Sequence, residues 1–220
     1  MRPERTHCIR CGQCCLRSSP SLQLQDIDLI RHGLIQKKDL YTIRVGELVW
    51  DNISSRPVIN QEELIKVREK DSGRACIFYD EEEKACLIYE HRPSQCVALA
   101  CRDDREFQRV FNGQRLNRKD IISDNILLDL IREHENRCGY NVLEKLAMSI
   151  EADGEKAVQG IMGIIRFDHQ LRPLVSERLK IAPEEMAFVF GRPLTETIRM
   201  FGLKVIREPE GSFFLTIDRD

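Results

Sequence analysis

No apolar run in this 220-residue chain approaches the ~20 residues that a membrane-crossing helix needs, and the longest sustained stretch is the short one around residues 161–165. No charge of one sign dominates either. The 34 basic and 36 acidic residues leave a net charge of -2, which predicts no general attraction to nucleic acid. Missing too are a Gly-Lys-Ser/Thr phosphate loop, a His-Glu-x-x-His pair, a Gly-x-Ser-x-Gly elbow and a dinucleotide Gly-x-Gly-x-x-Gly. A self-contained methyltransferase is disfavoured on the same ground. Residues 1–7 lack the apolar segment of a secretory signal, so the expectation is a soluble, cytoplasmic protein with no membrane partner.

With 42% hydrophobic and 32% charged residues, the chain is not a disordered tail or a collagen-like fibre, and its length is enough to bury a proper core. Cysteine is not abundant. Nine in 220 residues is about 4%, short of the roughly 8% that marks a disulfide scaffold. Its distribution carries the information, because eight of the nine fall within the first 101 residues. An odd total without an export signal argues against a full disulfide framework and for metal thiolate chemistry.

Helical spacing of Ile27, Ile30 and Leu34 predicts a helix that Gly33 ends, with Ser21 as its cap. Residues 41–49 and 63–68 interleave β-branched and polar side chains and read as extended chain. Two short apolar runs, 76–79 and 85–89, flank the acidic stretch 80–84 and predict a β-hairpin holding Cys76 near Cys86. Pro93 suits the first turn of a helix reaching about residue 100. From Phe107 onward the apolar period is helical and cysteine is reduced to Cys138, read as a packing residue. The expected fold is therefore α+β, with a cysteine-rich metal-binding domain over residues 1–105 and a mainly helical domain over 106–220.

The last forty residues predict two short helices, 183–190 and 194–201, and a hairpin of strands 203–207 and 213–217. That order is shared with winged helix-turn-helix modules. However, Arg192, Arg199, Lys204 and Arg207 are offset by Glu184, Glu185, Glu196, Glu208 and Glu210, so the basic footprint of a DNA reader is missing. The plainer reading is a helical cap whose hairpin closes the core.

Cys8, Cys11, Cys14 and Cys15 form C-x2-C-x2-C-C, in which two intervening residues let a tight turn aim two sulfurs at one ion and Gly12 supplies backbone freedom. Neighbouring side chains generally point apart, so Cys14 and Cys15 are expected to diverge, which suggests a second metal, a bridging thiolate or a cluster. Cys76, Cys86, Cys96 and Cys101 follow after a gap of 60 residues. Four plus four sulfurs suit two four-thiolate zinc sites or iron–sulfur chemistry. On one helix Cys96 and Cys101 would face different directions, about 140° apart.

In these residues the chain resembles the CxxCxxCC (YkgJ-type) cysteine-cluster family. The resemblance rests on Cys8, Cys11, Cys14 and Cys15, on Leu22-Gln23-Leu24-Gln25-Asp26-Ile27, on Cys76-Ile77-Phe78, and on Cys86-Leu87-Ile88-Tyr89-Glu90-His91-Arg92-Pro93-Ser94-Gln95-Cys96. It covers roughly residues 8–101. Val97 and Gln23 depart from the family pattern, which commonly has Arg and Thr there. What the resemblance implies is chelation of zinc or iron, with an iron–sulfur cluster as one form, and no settled reaction. Tyr89 and Arg92 belong to the matching block and are expected beside the thiolates, where positive charge and hydrogen-bond donors suit a polyanionic centre. His7 and His91 only flank ligand cysteines. The function expected is thus a metal-binding protein, and the alternatives are an iron–sulfur oxidoreductase or protein-modifying enzyme, and a regulatory adaptor meeting a protein partner through the C-terminal module.

Overall fold

A computed structural model of the chain describes residues 10–51, 54–70, 73–100, 105–208 and 213–218. In chain order the first half contains α1 (Gln13–Arg17), α2 (Ile27–Arg31), β1 (Leu40–Ile43), β2 (Leu48–Asp51), β3 (Arg56–Ile59), β4 (Leu64–Val67), β5 (Tyr79–Asp80), β6 (Ala85–Cys86) and α3 (Ser94–Ala98). Helices then prevail: α4 (Arg105–Phe111), α5 (Arg118–Ile121), α6 (Asn125–Arg137), α7 (Tyr140–Met148), α8 (Ile150–Asp153) and α9 (Glu155–Leu179). Two short helices, α10 (Met186–Phe190) and α11 (Leu194–Thr197), precede the strands β7 (Leu203–Arg207) and β8 (Phe213–Ile217). Short hairpins early and long helices late make the fold α+β, as expected. By contacts the chain divides into two compact units, Met1–Tyr41 with Leu64–Ile121, and Thr42–Glu63 with Ile122–Asp220. Neither is continuous in sequence.

In the first unit Leu22, Ile35, Leu40, Ile65, Val67 and Leu116 are fully buried and form its apolar centre. The helix expected after the cysteine cluster is present as a 3-10 turn, Leu24–Asp26, running into α2. Its cap is not Ser21. Gln23 and Asp26 cap each other reciprocally, with Gln23 N donating to Asp26 Oδ2 at 2.8 Å, and Ser21 N instead donates to Gln95 Oε1 at 3.0 Å. A side-chain acceptor three residues into the turn satisfies the exposed amide better than a serine two residues ahead of it.

The predicted hairpin forms between β5 and β6, where Asp80 Oδ1 accepts from the amides of Glu82 and Glu83, each at 2.9 Å, and closes the acidic tip. Cys76 lies just ahead of its first strand. Tyr79, not Cys76, stands opposite Cys86, while Cys76 bridges to Glu69 and its amide donates to Cys15 O at 2.7 Å.

In the second unit β2 and β3 pair antiparallel, with Trp50 opposite Pro57. Asp124 caps α6 by accepting from the amides of Ile126 and Leu127. The helical faces read from the sequence bury Leu143, Ile161, Ile165, Leu194 and Ile198 together, and Cys138 packs among them as a small apolar residue. Val205, Phe213 and Leu215 lie against this core. The terminal strands therefore close it, as the plainer reading held.

A buried polar network fastens the same unit. Asp168, 1% exposed, accepts from His134 Nε2 at 2.7 Å, from Arg172 Nη2 at 2.8 Å and from Leu194 N at 3.1 Å. Arg172 also donates to Gly191 O at 2.9 Å and Met186 O at 3.2 Å, tying down the break between α10 and α11. Arg44 is fully buried, with Nε on Glu135 Oε2 at 2.9 Å and Nη2 on Cys138 O at 2.6 Å.

Candidate metal centre

Among the described residues, six predicted ligands lie in the first unit: Cys11, Cys14, Cys15, Cys76, Cys86 and Cys96. Cys8 and Cys101, and His7 beside the first of them, fall outside the described residues. All six are free thiols, with Cys11 and Cys14 exposed, Cys15, Cys86 and Cys96 half-buried, and Cys76 buried.

Local geometry starts at Gly12, which caps α1 with φ +71°. Only glycine holds that conformation cheaply, and a Cβ there would fall 2.5 Å from Tyr79 Cε2. The knuckle thus lies directly against the first strand of the β5–β6 hairpin. One residue on, α1 carries Cys14 and Cys15, and their sulfurs stand 3.9 Å apart. The expected divergence is not observed. Two thiolates bound at 2.3 Å to one tetrahedral ion lie about 3.8 Å apart, so this pair is spaced to share an ion. Successive residues on a helix differ by about 100°, not the 180° of a strand, which lets neighbouring Sγ atoms turn toward one another.

The remaining thiols reach the same place from other segments. Cys76 is held by its amide bond to Cys15 O. Cys86 lies on β6 opposite Tyr79, whose ring abuts Gly12. Cys96 rides on α3, whose start is fixed by Asp26: Ser94 N and Ser94 Oγ donate to Asp26 Oδ1 and Oδ2 at 2.8 and 2.9 Å. Asp26 therefore has two roles, capping its own turn by accepting from Gln23 N and strapping α3 to it through Ser94. Nothing local signals the second role, since 68 residues separate the partners. Nothing local distinguishes Tyr79 from the other aromatic residues of the hairpin either.

Ionisation reflects the crowding. A hydrogen bond shared with Cys15 pulls the Cys14 thiol well down, and the same bond together with burial pushes Cys15 far up. Burial and the nearby Cys86 push Cys76 up to about 11. Cys96 is raised by burial and then by Cys76, Cys14 and Cys86, while Arg92 works in the opposite direction. Five thiols from four segments thus feel one another's charge. Tyr89 and Arg92, from the block that carries the resemblance, hold one another: Arg92 Nε donates to Tyr89 O at 2.8 Å and the guanidinium sits 3.7 Å from the Tyr89 ring centroid. His91 is exposed. Among the described residues no group of three or more His, Cys, Asp or Glu side chains is drawn in to ion-holding distances. The chemistry of the donor set nevertheless fits zinc or iron, because soft thiolates suit both and the Cys14–Cys15 sulfur pair has the spacing of two ligands on one ion.

An α+β unit that gathers thiols from separate segments beside an arginine defines a cysteine-cluster domain. Residues 7–112 match the model of the CxxCxxCC family, described as "Putative zinc- or iron-chelating domain". No curated protein and no solved structure matches the chain. Among the described residues no helix is long and apolar enough to cross a membrane.

Proposed function

We propose that residues 1–105 act as a metal-binding domain in which the thiolates of Cys8, Cys11, Cys14, Cys15, Cys76, Cys86, Cys96 and Cys101 hold zinc, iron or an iron–sulfur cluster. The observation that carries this reading is the 3.9 Å spacing of the Cys14 and Cys15 sulfurs, with Cys76 held to the same turn by its amide bond to Cys15 O at 2.7 Å. Deprotonated, such a group repels itself, and a cation of soft character is what offsets that repulsion. The bound metal would tie the knuckle, the hairpin and α3 together, so its role is first structural. A compartment that keeps thiols reduced is required, which points to the cytosol. Residues 106–220 form the helical partner domain in this reading.

Elemental analysis combined with an optical spectrum of protein purified without oxygen tests it. Stoichiometric zinc and a colourless protein assign the zinc form, and iron with sulfide and visible absorption that bleaches on reduction assign the cluster. Protein containing neither metal, and taking up neither when supplied, would refute the reading.

A further inference from the structure

The chain's single tryptophan stands in the open. Trp50 is 60% exposed on β2, and Leu48 on the same strand and Pro57 and Ile59 on β3 are exposed with it. Register makes these four one surface: Leu48 lies opposite Ile59 and Trp50 opposite Pro57, so all four point to the same face of the hairpin. The base of the hairpin is fixed within its unit, because Asn60 Nδ2 donates to Arg44 O at 3.2 Å and Arg192 Nε to Glu47 Oε1 at 2.7 Å. Among the described residues β2 and β3 pair with no other strand. Their outer edges differ. Asn60 N donates to Glu47 O at 2.9 Å, which sets the phase of the ladder: Val49 and Val58 exchange bonds, and the four exposed residues turn their backbone polar groups outward. On β3 one of the two outward positions is Pro57, which has no N–H to offer. On β2 they are Leu48 and Trp50, whose amides make no hydrogen bond among the described residues. A proline thus guards β3 against strand addition, and β2, uncharged from residue 48 to 50, has no such guard.

We propose that β2 is a docking edge for an extended segment of another protein, apolar at alternate positions, which pairs with the backbone of Leu48 and Trp50 and lays its apolar side chains beside theirs. The size of the face favours this occupant over a second copy of the chain. Trp50 at 60% exposure offers no more than about 150 Å², Leu48, Pro57 and Ile59 are smaller, and a stable dimer takes ~800 Å² from each partner. A single added strand needs less, because main-chain hydrogen bonds supply its affinity and alternate side chains its specificity. The open edge provides the first and the apolar face the second. Asp51, next along β2, favours a basic residue at the end of the added segment.

The test uses the full chain and a capped peptide of alternating valine and threonine with lysine at each end, followed through the fluorescence of Trp50, the chain's one tryptophan. Saturable binding should shift the emission to the blue and slow amide exchange at Leu48 and Trp50. The same peptide N-methylated at its valines should cause neither change. Leu48→Lys, which puts a charge on the edge and keeps the reporter, should lose binding. If that variant does not fold by circular dichroism, Ile59→Lys on the same face takes its place. Absence of any shift at millimolar peptide overturns the inference, as does equal binding of the N-methylated peptide or equal binding by the lysine variant. Sedimentation of the protein alone gives the remaining outcome: a dimer that the lysine variant converts to monomer assigns the face to a second copy and overturns the assignment to another protein's segment.

Discussion

At the scale of single residues, the two units are governed by opposite chemistry. Asp168 is buried, which by itself would raise its pKa, yet the hydrogen bond from His134 and the charge of Arg172 hold the carboxyl well below the usual range. Asp168→Asn leaves Arg172 buried without its counter-ion and is expected to destabilise the helical unit by about 3–5 kcal/mol in chemical denaturation. His134 moves the other way for a histidine that touches a carboxylate. Burial, helped by the charges of Arg44 and Arg172, outweighs Asp168 and lowers its pKa below the ordinary 6.5. Both groups bind protons more readily in the unfolded chain than in the folded one, so each stabilises the fold at higher pH and loses that contribution as pH falls. His134 gives its full contribution above 6.5 and begins to lose it below, while Asp168 does so only below 3.8. Urea midpoints should accordingly decline in two steps on acidification. His134→Gln, which keeps a donor for Asp168, should remove the first step and leave the second.

Among the cysteines the corresponding prediction concerns Cys15 and Cys96. Cys15→Ser and Cys96→Ser should each abolish stoichiometric metal retention, whereas Cys138→Ser should leave metal content unchanged. Cys138 lies in the other unit, fully buried, and burial pushes its thiol up to about 12. Metal analysis of the three variants decides this directly.

At the scale of elements, the knuckle depends on one backbone conformation. Gly12→Ala places a Cβ 2.5 Å from the Tyr79 ring at φ +71°, a region that costs a non-glycine residue about 1–2 kcal/mol before the clash is counted. Loss of metal retention with the helical unit intact is the expected result, read from metal content together with far-UV circular dichroism. In the second unit Gly191 has the corresponding role: its φ is +76° and a Cβ would fall 2.5 Å from Arg44 Cδ. The α7–α9 contact is ordinary apolar packing. Leu143, fully buried there, should cost about 2–5 kcal/mol when cut back to alanine.

Across the whole molecule, chelation and acid are expected to act on different units. Removing the metal withdraws binding free energy from the unit that holds the thiols, so amide exchange should accelerate in β5, β6 and α3 and stay slow in α6, α7 and α9. Mild acid should give the reverse order for the His134 step. A single transition affecting every element equally under both treatments would contradict this division.

Much of the fold was legible because it is periodic. Apolar recurrence located α6, α7 and α9, the paired terminal helices and the β7–β8 hairpin, since a repeat of 3.6 or 2 residues is written locally. β3 was not legible: Arg56-Pro57-Val58-Ile59 has no alternation and carries a proline, which an edge strand tolerates but a pattern search rejects. The thiolate class was legible from spacing and residue type alone. What only the tertiary structure decided was how side chains and segments meet in space: that Cys14 and Cys15 face one another, that the Cys76 amide is held by Cys15 O, and that Asp26 carries α3 to the cluster. Spacing along a chain fixes the direction of a side chain within its own element. Only the closing of long loops around a common core fixes which elements meet.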